Sequence, residues 1–132
     1  YQIQTEIDNS KILLEKAKSL YPALTGTLSR AATSFIEGVY PVYAQSGNGA
    51  FFTDVDGNTF LDFVCSFGPI SLGHNYSRVN NAVIDQLKKG ILFSLPHPIE
   101  LELAEKISKI VPHTDMCKFE KSGSNAVTGA VR

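Results

Sequence analysis

Apolar residues recur at helical spacing in three segments of the chain, Asp8–Leu20, Ser77–Lys89 and Ile99–Ile110. Gly90 directly follows the second segment and Pro112 closes the third, which is how helices commonly end. We therefore predict three amphipathic helices. The apolar positions are Ile12, Leu13, Ala17 and Leu20 in the first and Val79, Val83, Ile84 and Leu87 in the second, and the predicted caps of the first are Asn9 and Ser10.

The pattern changes to short β-rich pieces between the first and second helices. These pieces are Val42–Ala44, Ala50–Thr53 and Thr59–Phe63, and the segments Ser46–Gly49 and Asp56–Asn58 separate them. Such short, closely spaced pieces predict a small antiparallel meander with a tight Asp-Gly hairpin turn.

The segment around Asp56–Asn58 could also be interpreted as a calcium-binding loop. Asp54, Asp56 and Asn58 have the alternating spacing of calcium ligands. Gly57 is one place too early for the loop's glycine, however, and the last ligand position holds Cys65 where Glu is needed. The hairpin is the better interpretation.

The end of the chain combines a short strand-like piece, Met116–Phe119, with a loop, Lys121–Asn125, and a predicted helix, Ala126–Arg132. A loop before a helix can bind phosphate, because its N–H groups and the positive helix end point at one place. Gly123 would let an anion approach the backbone, and Ser124 adds a hydroxyl donor. A serine at this position also caps a helix, so both interpretations stay open on chemistry alone.

Composition and charge narrow the possible functions. The 132 residues carry 12 Lys+Arg against 13 Asp+Glu, a net charge of −1 that offers no general attraction to nucleic acid or to an anionic membrane. No apolar run approaches the ~20 residues of a membrane helix, and the start lacks the pattern of a signal peptide. With two cysteines, the expectation is a reduced, cytoplasmic, soluble protein.

The remaining reactive side chains do not predict a metal or thiol site. His74, His97 and His113 are too few and too scattered for metal ligands, so no metal is expected. Cys65 has no adjacent basic residue that would activate its thiol. Lys118 and Lys121 flank the phosphate-like loop and are by default solvated.

Five short stretches, in this order and spacing, resemble the N-terminal part of the class III aminotransferases, which use pyridoxal 5'-phosphate (PLP), and especially their glutamate-1-semialdehyde aminomutase-like branch. The stretches are Gly49–Asn58, Leu61–Phe63, Ser66–His74, Glu102–Glu105 and Ser122–Ala126. The resemblance covers the chain from about Leu24 onward.

The resemblance implies an α/β fold, the N-terminal portion of a fold-type I PLP enzyme. Residues 1–64 would form an N-terminal helix, loop and β-meander segment, and residues 65–132 the start of the large, mostly parallel-sheet PLP-binding domain. The missing initial Met, and an end that falls inside a predicted helix, lead us to expect a piece of a longer protein.

The resemblance also assigns residues. By position, Ser122, Gly123 and Ser124 would bind the PLP phosphate, with Asn125 standing where the family has an acidic residue. Arg30 and Phe67 would shape the substrate pocket, Phe67 standing where the aminomutase has Trp. No lysine matches the Schiff-base Lys motif, so we expect no catalytic residue in this chain and no activity of the chain alone.

The implied activity is amino-group transfer, as an aminotransferase or aminomutase, between a small-molecule amino donor and a carbonyl acceptor. The full-length enzyme would be a homodimer. The competing hypothesis is a non-catalytic remnant or partner-binding domain that binds at most a phosphorylated ligand.

Overall fold

The computed structural model describes residues 7–26, 28–31, 34–36 and 38–132. The chain divides into two compact units, Tyr1–Asp85 and Gln86–Arg132, and the boundary falls inside a helix. The division predicted at residues 64 and 65 concerns the larger enzyme fold and stays a prediction. Within the described residues, every helix is too short or too polar to span a membrane.

The first helix, α1, runs from Asp8 to Leu20, as predicted, but its start is capped from elsewhere in the chain. No side chain of the helix caps its own N-terminus. Instead the Asp56 carboxylate accepts hydrogen bonds from the backbone N–H groups of Asn9, at 2.7 Å, and Ser10, at 3.1 Å. The predicted capping roles of the Asn9 and Ser10 side chains are therefore wrong. A carboxylate suits this position because it faces the positive end of the helix dipole.

The packing face of α1 also differs from the prediction. Ser10 is fully buried and Leu14 and Ala17 are half-buried, whereas Ile12 and Leu20 are 66% and 67% exposed. Of the predicted apolar face, Ala17 alone packs inward among these positions. Because Asp56 binds the helix at Ser10, the face that contains Ser10 turns inward. This contact, and not the positions of the most hydrophobic residues, decides which face of α1 packs against the rest of the unit.

Three antiparallel strands follow in the order β1 (Ala44–Asn48), β2 (Phe51–Asp54) and β3 (Thr59–Leu61). The meander is confirmed, but its first strand is displaced. β1 includes Ser46–Asn48 of the stretch predicted as a turn, and the chain reverses at Gly49, whose φ is +56°. Small and polar residues do not prevent a strand when the pairing with β2 supplies its hydrogen bonds.

The β2–β3 connection is the predicted hairpin. Asp54, which is fully buried, accepts hydrogen bonds from the backbone N–H groups of Asp56, at 3.0 Å, and Asn58, at 2.8 Å, and from the Asn58 amide, at 2.9 Å. Gly57 has a φ of +86°, which a residue with a Cβ rarely adopts. The Asp54 carboxylate holds the turn together and is not arranged as a calcium ligand.

The remaining helices are α2 (Ser77–Lys89), α3 (Pro98–Ile110) and α4 (Gly123–Val131). In α3 the capping residue is His97, whose Nδ1 accepts from the Ile99 N–H at 3.2 Å, so this histidine has a structural role. Residues 116–119, predicted as strand-like, form no hydrogen-bonded ladder with any described residue.

Candidate functional site

The residues that the sequence singles out lie in both compact units, and each unit is described by itself. In the first unit, one cavity of about 370 Å³ is lined by both predicted substrate residues, Arg30 and Phe67. The fold therefore brings together two positions that are far apart in the sequence. The polar residues that line the same cavity are Thr25, Tyr40, Tyr43, Asp62, Ser66 and His74.

Phe67 belongs to a turn with an uncommon backbone conformation. Cys65, Ser66 and Phe67 have φ angles of +49°, +52° and +65°, all in the left-handed region that favours glycine. Such conformations cost about 1–3 kcal/mol each and persist where the surroundings determine them. The turn is thus a strained segment at the wall of the cavity.

Asp62 holds the start of this turn. Its Oδ1 accepts hydrogen bonds from the backbone N–H groups of Val64 and Cys65, both at 2.9 Å. Its Oδ2 lies 2.7 Å from Nε2 of His74. The Asp62 and His74 side chains are 12% and 22% exposed, so the pair is largely shielded from water.

The environment of Asp62 keeps it ionised. Burial raises the pKa of Asp62, but the hydrogen bonds from His74, Cys65 and Val64 outweigh burial and bring the pKa below its ordinary value. A carboxylate has no proton to donate, so the proton of the short contact lies on Nε2 of His74.

Tyr40 adds a neutral hydroxyl to the same cavity. Burial raises the pKa of the Tyr40 phenol, and the negative charge of Asp62 raises it further. The ring stacks on Phe35 with 4.0 Å between the ring centroids. The phenol therefore stays protonated at neutral pH and can donate a hydrogen bond into the cavity.

Arg30 reaches the turn through its guanidinium group. Its Nη2 donates a hydrogen bond to Oγ of Ser66 at 3.0 Å. Within the described ranges, no carboxylate accepts a hydrogen bond from this exposed guanidinium. A guanidinium has five N–H donors, so the others are available to a ligand.

In the second unit, α4 begins at Gly123, three residues before the predicted start, because Ser122 is its capping residue. The Ser122 hydroxyl accepts from the Asn125 N–H at 3.3 Å and donates to Oδ1 of Asn125 at 2.9 Å. Ser122 is therefore the capping residue, and the capping interpretation of Ser124, which lies in the first turn of α4, is wrong. Asn125, placed where the family has an acidic residue, completes the cap as a hydrogen-bond acceptor.

Gly123 and Ser124, which follow the capping residue, have hydrogen-bond donors at the start of α4 that are unpaired in the described part of the chain. A Cβ added at Gly123 would meet nothing within 4 Å, and the Ser124 hydroxyl has no hydrogen-bond partner among the described residues. Nearby, Lys118 pairs with Glu120 at 2.9 Å. The N-terminus of α4 thus has free space, N–H groups and one free hydroxyl, which is the donor set that a phosphate needs.

Sequence reasoning missed the roles of Asp62, Ser66, His74 and Tyr40. Two of them lie in the stretch Ser66–His74 that supports the family resemblance, but nothing in that pattern indicates which side chains meet. Their contacts depend on the chain returning from β3 to the β1–β2 turn, so the fold is needed to find them.

Comparison with known proteins gives the family. The profile of the aminotransferase class-III family matches residues 34–132. The chain belongs to this family. A 3-aminobutyryl-CoA aminotransferase from Cloacimonas acidaminovorans is 37% identical over 128 residues, which are 96% of this chain and 31% of that protein. A glutamate-1-semialdehyde 2,1-aminomutase from Methanococcoides burtonii is 38% identical over 126 residues, 96% of this chain and 29% of that protein.

The fold agrees with this assignment. A solved transaminase with PLP bound superposes with a TM-score of 0.84 at 31% identity, over 96% of this chain and 29% of its own. The predicted α/β fold class is thereby confirmed. The chain spans about 30% of the length of the curated relatives that it matches. The residues that match the class III family profile include Phe67 and Ser122–Ser124, whereas Arg30 lies just before the first matched residue.

Proposed function

We propose that the whole protein catalyses PLP-dependent amino-group transfer between a small-molecule amino donor and a carbonyl acceptor. This chain would supply the phosphate-binding loop and part of the substrate cavity. The observation that carries the proposal is the open N-terminus of α4 in a chain of the class III family.

The residues of this helix start fit the phosphate of PLP. The N–H groups of Gly123 and Ser124 lie in the first turn of α4, where no carbonyl of the helix is available to them. The Ser124 hydroxyl would add a hydrogen bond to a charged acceptor. Ser122 would contribute by holding the loop in place, since its hydroxyl is committed to Asn125.

In the other unit, Arg30 would bind a carboxylate of the substrate. Within the part of the chain that the structure describes, it has one neutral partner, Ser66, and further donors that a carboxylate can engage in pairs. Phe67 would form an apolar wall beside it. We propose that Tyr40 donates a hydrogen bond to the substrate, because its phenol remains protonated.

Bound PLP supplies a carbonyl carbon that takes up the amino group and a ring that accepts electrons from the substrate. The lysine that moves protons at that carbon would come from outside residues 1–132. No catalytic residue is assigned to this chain, and the chain alone is proposed to be inactive. The enzyme would be a cytoplasmic homodimer.

Aminotransferase and aminomutase activity both remain within the proposal, because relatives of each kind match at nearly equal identity. In an aminomutase, both half-reactions use one carbon skeleton. Profiling amino donors, together with assaying isomerisation of glutamate 1-semialdehyde, distinguishes the two.

The experiment is to express the complete reading frame, add PLP and record the visible absorption. We expect a cofactor band that an amino donor shifts. Folded protein without such a band would contradict the proposal. It would support the competing function, a non-catalytic domain that binds at most a phosphorylated ligand.

A further inference from the structure

We propose that Asp62 and His74 are positioning residues that hold the left-handed turn Cys65–Phe67 against the substrate cavity and so set the direction of the Arg30 guanidinium. The inference rests on the proposed function in one respect, which is that Arg30 binds the substrate carboxylate. The inference gives roles to Asp62 and His74, which the family resemblance does not assign. It also describes a chain of contacts that leads from the sheet to Arg30.

The turn needs external support. Three consecutive residues with side chains, Cys65, Ser66 and Phe67, occupy a region in which residues other than glycine are rare. Its internal hydrogen bonds, from Phe67 N–H to Val64 O at 2.9 Å and from Gly68 N–H to Cys65 O at 3.0 Å, would also form in an ordinary turn. They do not select this conformation, so other contacts must.

The Asp62 carboxylate is the first such contact. One oxygen receives the N–H groups of Val64 and Cys65 and the other receives Nε2 of His74. The Asp62 side chain therefore holds the first residues of the turn and connects them to His74, which follows the turn in the sequence.

His74 is in turn fixed to the sheet. Its backbone forms a pair of hydrogen bonds with Gly49 in the β1–β2 turn, at 2.8 and 2.9 Å. Its ring lies against Gly47 of β1, where an added Cβ would come within 2.6 Å of Cγ of His74. The absence of a side chain at Gly47 is what leaves room for the imidazole.

The last link leads to the cavity. The turn presents the Ser66 hydroxyl to Nη2 of Arg30 at 3.0 Å, the one hydrogen bond that this guanidinium makes among the described residues. If the turn relaxes to an ordinary conformation, Ser66 moves and Arg30 loses the one partner that it has among the described residues. A carboxylate bound through two parallel hydrogen bonds is sensitive to such a displacement.

The test uses the PLP-loaded protein expressed from the complete reading frame. His74→Leu removes the ring hydrogen bond, His74→Gln restores a donor near the position of Nε2, and Gly47→Ala displaces the ring without altering a residue that lines the cavity. Gly26→Ala is the matched control, since a Cβ there meets nothing within 4 Å.

For an α-amino acid donor, we expect His74→Leu and Gly47→Ala to raise KM about tenfold with kcat changed less than twofold, because the lost interaction is one of binding. For an amine donor without a carboxylate, KM should not change. His74→Gln should recover most of the loss, and Gly26→Ala should behave like the parent protein. The visible PLP band should be the same in all four variants.

Hydrogen exchange in the cofactor-free protein gives a second readout that does not depend on activity. The amides of Val64 and Cys65 should exchange faster in His74→Leu and Gly47→Ala than in the parent. An active parent enzyme with unchanged KM and unchanged exchange in both variants would overturn the inference and leave the proposed function intact. A parent without the PLP band or transfer would overturn the proposed function and the role of Arg30, while the exchange rates would still decide whether the pair holds the turn.

Discussion

Asp62 illustrates how much one side chain can organise. Its two oxygens accept hydrogen bonds from Val64, Cys65 and His74, and its charge raises the pKa of Tyr40. An acidic residue at the end of a strand is unremarkable in the sequence. Its importance follows from burial, because interactions of a shielded carboxylate are stronger than those of an exposed one.

The stabilising effect of Asp62 should depend on pH in a definite direction. Its pKa is lowered in the folded protein, so its contribution is complete above the ordinary carboxyl pKa of about 3.8 and is lost as the pH falls through the lowered value. The difference in free energy of unfolding between the parent and Asp62→Asn, measured by denaturation, should therefore be constant near neutral pH and shrink below about pH 4.

A partner variant tests the cause of this pH dependence. His74 provides the largest contribution that lowers the pKa of Asp62, so His74→Leu should move the acid transition to higher pH. A difference between parent and Asp62→Asn that stays constant down to pH 2 would contradict the assignment.

Ser122 and Ser124 should separate into two roles although they are two positions apart. Ser122 caps α4, so Ser122→Ala should lower stability by about 1 kcal/mol, the usual value for a lost cap, even without cofactor. Ser124→Ala should leave stability unchanged and weaken PLP binding about tenfold, as expected for a lost hydrogen bond to a charged group.

The measurements are thermal unfolding without cofactor and a PLP titration followed by visible absorption. Ser94→Ala, at an exposed serine outside both sites, is the matched control. Equal effects of Ser122→Ala and Ser124→Ala on both quantities would argue against distinct roles.

Among the helices and strands, long-range hydrogen bonds decide the details that periodicity leaves open. The ranges of α1 and α2 follow from their apolar spacing and end signals. The packing face of α1, the extent of β1 and the cap of α1 depend instead on pairing partners more than 30 residues away or on a neighbouring strand. The pairing of Arg30 with Ser66 belongs to the same class, and for this reason the cavity could be predicted only through the family resemblance.

The cap from Asp56 should fix α1 to the hairpin. Asp56→Ala leaves the N–H groups of Asn9 and Ser10 without their acceptor, so the start of α1 should open more often. We expect trypsin to cleave after Lys16 and Lys18 several-fold faster in this variant than in the parent.

Asp8→Ala is the control, because Asp8 lies in the first turn of the same helix but is exposed, and Lys11 is its one partner among the described residues. Asp56→Asn, which keeps one acceptor oxygen, should lie between the parent and Asp56→Ala. Identical cleavage rates in Asp56→Ala and Asp8→Ala would show that the cap does not hold the helix.

At the scale of the whole molecule, α2 and α3 each expose apolar side chains. Val79, Val83 and Leu87 on α2 are 48%, 53% and 52% exposed, and Leu101 on α3 is 65% exposed. Apolar side chains repeated along one helix face normally pack against another element. The chain spans about 30% of the length of its curated relatives. In the whole enzyme proposed above, residues outside this chain would provide that element.

Val83→Ser should therefore have a different effect in residues 1–132 alone than in the protein expressed from the complete reading frame. In residues 1–132 expressed alone, Val83→Ser should reduce the binding of a hydrophobic dye, because it removes exposed apolar surface. In the protein expressed from the complete reading frame, the same change should lower the free energy of unfolding by about 1–3 kcal/mol, because a packed apolar side chain is lost there. Dye fluorescence and denaturant unfolding measure the two effects. The control is Asn81→Ser, at an exposed polar position on the same helix, which should change neither quantity. A neutral effect of Val83→Ser in both contexts would mean that this face of α2 also stays exposed in the protein expressed from the complete reading frame.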